Sequence, residues 1–103
     1  MHALNISLLG EFALTDQHGE AVTVPNRRTQ ALIIYLALRI DSGGSVSEAT
    51  ELLRGDRVHE TISDLRFALR TLPPDTLVLE GDSVRFNPAR VSVDAQRFES
   101  LGA

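Results

Sequence analysis

Hydrophobic and polar positions along the chain change their period several times, and each change marks an element. Near the start, Leu4, Ile6 and Leu8 alternate with Asn5 and Ser7, the two-residue period of a half-buried strand. Phe12 and Leu14 continue the alternation past Leu9-Gly10. Asp16-Gln17-His18-Gly19 is a turn cluster, and Ala21-Val22-Thr23-Val24 reads as a returning strand closed by Pro25. Residues 1–25 are therefore expected to form a small antiparallel sheet with one face toward a core.

From Asn26 the period becomes helical. Asn26 is a capping residue for a helix running from Arg27 to about Ile40, and its apolar residues 31–38 lie nearly all round, which predicts burial on several sides. Asp41-Ser42-Gly43-Gly44 is a loop. Ser45 or Ser47 then caps a short helix from Glu48 to Leu53, with Val46, Ala49 and Leu52 facing inward. Gly55-Asp56 is the turn before the most informative stretch, 58–72. There Val58, Ile62, Leu65, Leu69 and Leu72 recur on one helical face, and Pro73-Pro74 ends the helix because proline lacks an amide donor and restricts the residue before it. At about 100° per residue, the opposite face centres on Glu60 and Phe67, flanked by Ser63, Asp64 and Thr71. Arg66, Arg70 and His59 stand to one side of it.

Beyond the prolines, 77–80 and 83–86 flank Gly81-Asp82, a Gly-X pair that predicts a two-residue hairpin of type II′. Asn87-Pro88 breaks the second strand. Residues 91–93 are short and extended, and Asp94 caps a last helix over 95–101, with Val93 and Phe98 placed as a hydrophobic staple. Sheet, three helices and hairpin together make an α+β domain of winged helix-turn-helix type, with an N-terminal antiparallel β-sheet and a C-terminal hairpin wing. The expected layout is one domain over 1–103, with sheet over 1–25, three-helix core over 26–72, wing over 73–90 and the start of a C-terminal helix over 91–103.

Length and composition bound the reading without changing it. A chain of 103 residues, 43% of them hydrophobic, suits one compact core. No apolar run approaches the ~20 residues that span a bilayer, and no basic n-region precedes an apolar one, so a cytoplasmic protein without membrane contact is expected. Cysteine is absent, which excludes a disulfide framework and thiolate chemistry. His2, His18 and His59 are dispersed, Gly43-Gly44-Ser45 lacks the flanks of a phosphate loop or nucleophile elbow, and the carboxylates form no pair. No enzyme, metal, cofactor or small-molecule substrate is expected. The formal net charge is −4, and all ten basic residues are arginine. That balance weighs against a domain devoted to nucleic acid, although a local arginine cluster still creates a positive face.

The chain resembles the OmpR/PhoB-type winged helix in the version that opens SARP-type (antibiotic regulatory protein) bacterial transcriptional activators. The resemblance is carried by 4–12 (LNISLLGEF) and by Val24-Pro25-Asn26-Arg27-Arg28 leading into 31–38. It continues through Val46-Ser47, Glu51-Leu52-Leu53, Leu65-Arg66, Ala68-Leu69, 77–86, Val91-Ser92-Val93-Asp94 and Phe98-Glu99. It spans nearly the whole chain, through order and spacing rather than one diagnostic motif. It implies a transcriptional regulator whose 57–72 helix enters the major groove of double-stranded DNA.

The departures from that family gather on the DNA-reading side. Arg54 stands where the family has a tryptophan, and only Gly55, Asp56 and Arg57 separate it from Val58. Asp64 and Phe67 replace residues that are commonly basic, and Ser83-Val84 stands at the wing where the family tends to show Gly-Tyr. Arg57, Arg66, Arg70 and Arg85 are the candidate phosphate contacts, with Arg57 and His59 the only candidate base readers. Glu60, Asp64, Glu80 and Asp82 stand against them, and with the negative net charge the arginines read sooner as solvated or paired with nearby carboxylates than as phosphate contacts. Phe67 is either covered by a neighbouring segment or belongs to a contact surface rimmed by Glu60, Ser63 and Asp64. The expectation drawn from these residues is a regulatory module acting through protein partners or self-association, with DNA binding as the alternative.

Overall fold

A computed structural model describes residues 2–53 and 57–94. Its first helix, α1 (Arg27–Leu38), begins where the polar residue predicts: Asn26 is extended, and its side-chain oxygen accepts from the Thr29 amide at 2.9 Å and the Thr29 hydroxyl at 3.0 Å. This satisfies one of the amides that every helix start leaves orphaned. The helix stops at Leu38, two residues short of expectation, although Ile40 is still buried just beyond it. Leu32, Ile33, Leu36 and Ala37 are buried. The opposite side is not: Leu38 is 65% exposed, and Ala31, Ile34 and Tyr35 are half-buried. Burial on several sides is thus corrected to burial on one.

The second helix, α2 (Val46–Leu52), is capped by Ser45, whose hydroxyl accepts from the Glu48 amide at 3.0 Å. Its inward residues are Val46, Ala49 and Leu53, while Leu52 is 48% exposed. The seven-residue step from Val46 to Leu53 keeps one face and the six-residue step to Leu52 leaves it, so the expected inward position of Leu52 was one residue out of phase. The third helix, α3 (Val58–Ala68), buries Val58, Thr61, Ile62 and Leu65, with Leu69 buried at its C-cap. It ends a turn before Leu72. Amides of Leu69, Arg70 and Leu72 bond to the carbonyls of Leu65, Phe67 and Leu69, so the ladder shortens as the chain turns toward Pro73-Pro74. A residue before proline avoids the helical region, and the helix unwinds ahead of it.

A 3₁₀ turn (Pro74–Thr76) then leads into the expected hairpin of β4 (Leu77–Glu80) and β5 (Ser83–Phe86). Gly81 has φ +58 and Asp82 stays at negative φ, the pattern of a type II′ turn. In β5 the alternation is complete: Val84 and Phe86 are buried, Ser83 and Arg85 exposed. The end of the expected loop and the capping serine form an unexpected two-residue strand, β3 (Gly44–Ser45), which pairs with β5 to give the order β3-β5-β4. It depends on glycine, because a β-carbon on Gly44 would stand 2.7 Å from Tyr35 Cε2, where the ring approaches to let its hydroxyl accept from the Ser45 amide.

The N-terminal sheet differs from expectation. Strands β1 (Leu4–Ser7) and β2 (Ala13–Asp16) pair antiparallel, but 21–24 contributes only a bridge from Ala21 to Thr15. The third strand is β6 (Val91–Val93), parallel to β1, so the sheet is mixed, in the order β2-β1-β6. The Asp94 carboxylate reaches past the end of β1, accepting from Ser7 Oγ at 3.0 Å and the amides of Leu8 and Leu9 at 2.7 and 3.2 Å. Leu4, Ile6, Val91 and Val93 join α1, α3 and β5 in one core. The described residues thus form an α+β fold of three helices and two small sheets, and no helix is long and apolar enough to cross a membrane. The expected turn at Gly55-Asp56, Arg54, the helix over 95–101 and the staple through Phe98 lie outside the described residues.

Two stability predictions follow from this bonding. Asp94→Ala leaves two backbone donors at the β1 end without their carboxylate and should cost about 2 kcal/mol in chemical or thermal unfolding, whereas Ser7→Ala should cost about 1. Thr76 is buried with its backbone bonded, to Pro73 and Asn87, but its hydroxyl has no hydrogen-bond partner among the described residues. Thr76→Val should therefore raise stability by about 1 kcal/mol, a Tm gain of roughly 4–8 °C. A loss of stability would mean that the hydroxyl is bonded.

Candidate functional site

The outward face of α3 is a consequence of its inward one. With Val58, Ile62, Leu65 and Leu69 turned into the core, helical spacing sets Glu60, Ser63 and Phe67 outward, all exposed. Phe67 is 65% exposed, so among the described residues neither the hairpin nor a loop covers it. Its principal neighbour is Arg70. The Arg70 guanidinium lies over the ring, 4.2 Å from its centroid, and Nη1 donates to the Phe67 carbonyl at 2.9 Å. A cation stacked on an exposed ring contributes about 0.5–1 kcal/mol and holds both groups in one geometry.

The other predicted positions are not all gathered here. Asp64 lies at the edge of the face, half-buried, where its Oδ2 accepts from Asn26 Nδ2 at 3.2 Å. It therefore braces the residue that caps α1. Arg57 occupies the N-cap of α3 in the left-handed region, φ 52 and ψ 34, and makes no side-chain cap. Its carbonyl accepts from the Thr61 amide and hydroxyl, both at 2.8 Å, and its guanidinium pairs with Glu60 at 3.9 Å. Both partners are more than half exposed, so the pair adds little stability. His59 and Arg66 are exposed on α3, Arg66 in its last turn. Arg85 is exposed on β5, with its stem beside Gly43.

A second feature adjoins this face and was not anticipated. Between the last turn of α3, the 72–74 segment and β4 runs a groove of about 500 Å³. Arg66 and Arg70 stand on it, and Leu72, Pro73, Leu77 and Leu79 supply its apolar surface. Leu77 and Leu79 share one side of β4 by the two-residue period. The first is half-buried and the second 37% exposed. The apolar run Leu77-Val78-Leu79 does not by itself say which side faces the core. Only the early end of α3 shows that the helix does not reach far enough to cover Leu79.

No protein-family model, no curated protein and no solved structure matches the chain. The reading of the site therefore rests on its own geometry.

Exposure makes a clear prediction for two neighbouring helix positions. Phe67→Glu should melt within about 0.5 kcal/mol of the parent, as surface substitutions do. Leu65→Ala, in the buried core, should lose roughly 2–5 kcal/mol through the cavity it opens. Equal losses in paired melts would show that Phe67 is covered within the domain.

Proposed function

We propose that this chain is a winged-helix regulatory module of the OmpR/PhoB type, of the kind that opens SARP-type bacterial activators, working in the cytoplasm through a protein contact centred on Phe67. The order of three helices and a hairpin behind an N-terminal sheet supports the fold part of this reading. The observation that carries the functional part is the exposed Phe67 ring, in the last turn of the helix whose outward face would otherwise read DNA. Burying such a ring at an interface contributes about 1.5–3 kcal/mol, enough for an anchor. Glu60 and Ser63 make a polar rim beside it.

The alternative, double-stranded DNA, is favoured by one observation: Arg57, Arg66, Arg70 and Arg85 are all exposed, with His59 near the start of the helix. Against it, the helix start offers a carboxylate, Glu60, beside Arg57, and the last turn offers an apolar ring on a face where phosphate and base edges need donors. The formal charge of −4 opposes approach to a polyanion.

A titration of labelled duplex DNA at low and moderate salt, run beside sedimentation of the parent and Phe67→Glu, tests the choice. The expected outcome is no saturable DNA binding even at low salt, and loss in Phe67→Glu of any self-association that the parent shows. Saturable binding would establish the DNA reading if its log–log salt slope falls by roughly 0.9 for each of Arg57, Arg66, Arg70 and Arg85 replaced by Gln.

A further inference from the structure

The groove between α3 and β4 has an unusual charge balance for this chain. Its lining includes two arginines and no acidic residue, in a protein whose formal net charge is −4. The nearby acids are turned elsewhere: Asp64 accepts from Asn26, Asp75 holds Arg90 at 3.1 Å, Glu60 pairs with Arg57 at 3.9 Å, and Glu80, next to Leu79 on β4, falls on the opposite side of the strand by its two-residue period. Among the described residues Arg66 has no ion-pair partner, and Arg70 spends one donor on the Phe67 carbonyl while stacked on its ring. A guanidinium carries five N–H donors in a rigid fork, so both retain donors that match a carboxylate.

The surface beneath these cations is apolar. Leu72 and Leu77 are half-buried, Leu79 is 37% exposed, and Pro73 has no amide to offer. A phosphate backbone would satisfy the arginines and leave this surface uncovered. A single apolar peptide would cover the surface and leave the arginines unanswered. We propose that the groove binds an acidic amphipathic segment of a partner protein, its leucine- or phenylalanine-sized side chains against Leu72, Leu77 and Leu79 and its carboxylates on Arg66 and Arg70. This deepens, and rests on, the protein-contact reading above. Arg70 joins the two features, since the residue that lines the groove also stacks its guanidinium on Phe67. The partner's chain therefore runs from the ring into the groove without crossing a carboxylate.

Fluorescence anisotropy with three labelled probes tests the inference on the whole chain: a short peptide alternating aspartate with leucine and phenylalanine, its lysine counterpart, and a DNA duplex. The acidic peptide should bind the parent, and binding should weaken as salt rises. Arg66→Glu should weaken it by tenfold or more and Leu79→Ser by about tenfold, which is about 1.4 kcal/mol. Arg66→Ala should fall between the parent and Arg66→Glu. Both sites are exposed, and a melt of each variant checks that the fold is intact. Equal binding of the lysine peptide, or no loss in Arg66→Glu, overturns the groove as the site. Failure of the parent to bind the acidic peptide, with the duplex also unbound, overturns the groove and leaves the wider protein-contact reading standing. A duplex that binds and displaces the acidic peptide overturns both.

Discussion

Everything in this fold depends on burying one side of α1. Leu32, Ile33, Leu36 and Ala37 are shut away from water against α3 and the inner face of β5, where Ile62, Leu65, Val84 and Phe86 meet them. Each large apolar side chain buried in this way contributes about 1.5–3 kcal/mol. The rotation of α1 is held at its start by a polar arrangement: Asn26 caps the helix through its oxygen and reaches Asp64 of α3 through its amide nitrogen. One side chain thus sets where α1 begins and how it sits against the helix that carries Phe67. The outward direction of Phe67 follows from the inward direction of Leu65, and that from the position of α1.

The face and its neighbouring groove divide the chemistry between them. Phe67 offers apolar area that is partly shielded by the Arg70 guanidinium, which keeps a large exposed ring compatible with solvent until a partner arrives. The groove offers the reverse, an apolar surface open to water with cations at its rim. Arg57 and Glu60 at the other end of α3 are already occupied with one another, so the face is polar and self-satisfied at the helix start and open toward its end. A reader of DNA would want the opposite gradient, with donors concentrated where α3 begins.

Local signals were legible where they were strong. Asn26 and Ser45 as caps, Gly81-Asp82 as a hairpin turn and the inward stripe of α3 each rest on residues within a few positions of one another. Helical geometry gave the outward direction of Phe67 but left open whether a neighbouring segment covers it, and the structure shows the ring exposed. Non-local features were not legible. Nothing near Val91 announces that it will lie parallel to Leu4, and the alternation of 21–24 looked as strand-like as that of β1. The choice between Leu52 and Leu53 as the inward residue turned on where α2 begins, a boundary that periodicity sets only to a residue or two. The groove was hidden for a related reason. Pro73-Pro74 marked an end to α3, but the extra turn lost before it is a cost of entering the prolines that no spacing shows.

The pairing of β1 with β6 has a consequence for how the protein comes into being. During synthesis β1 and β2 emerge early, yet the strand that covers the second edge of β1 follows only after both the helices and the hairpin. Until then that edge presents unpaired amides and carbonyls beside Leu4 and Ile6, a template for pairing with any other extended chain. Closing a parallel contact across so much sequence is also slow compared with forming a helix or a hairpin. The nascent protein therefore passes through an interval in which its helices and hairpin are available but its first sheet is open. Docking of β6 is thus the step that covers this edge of β1.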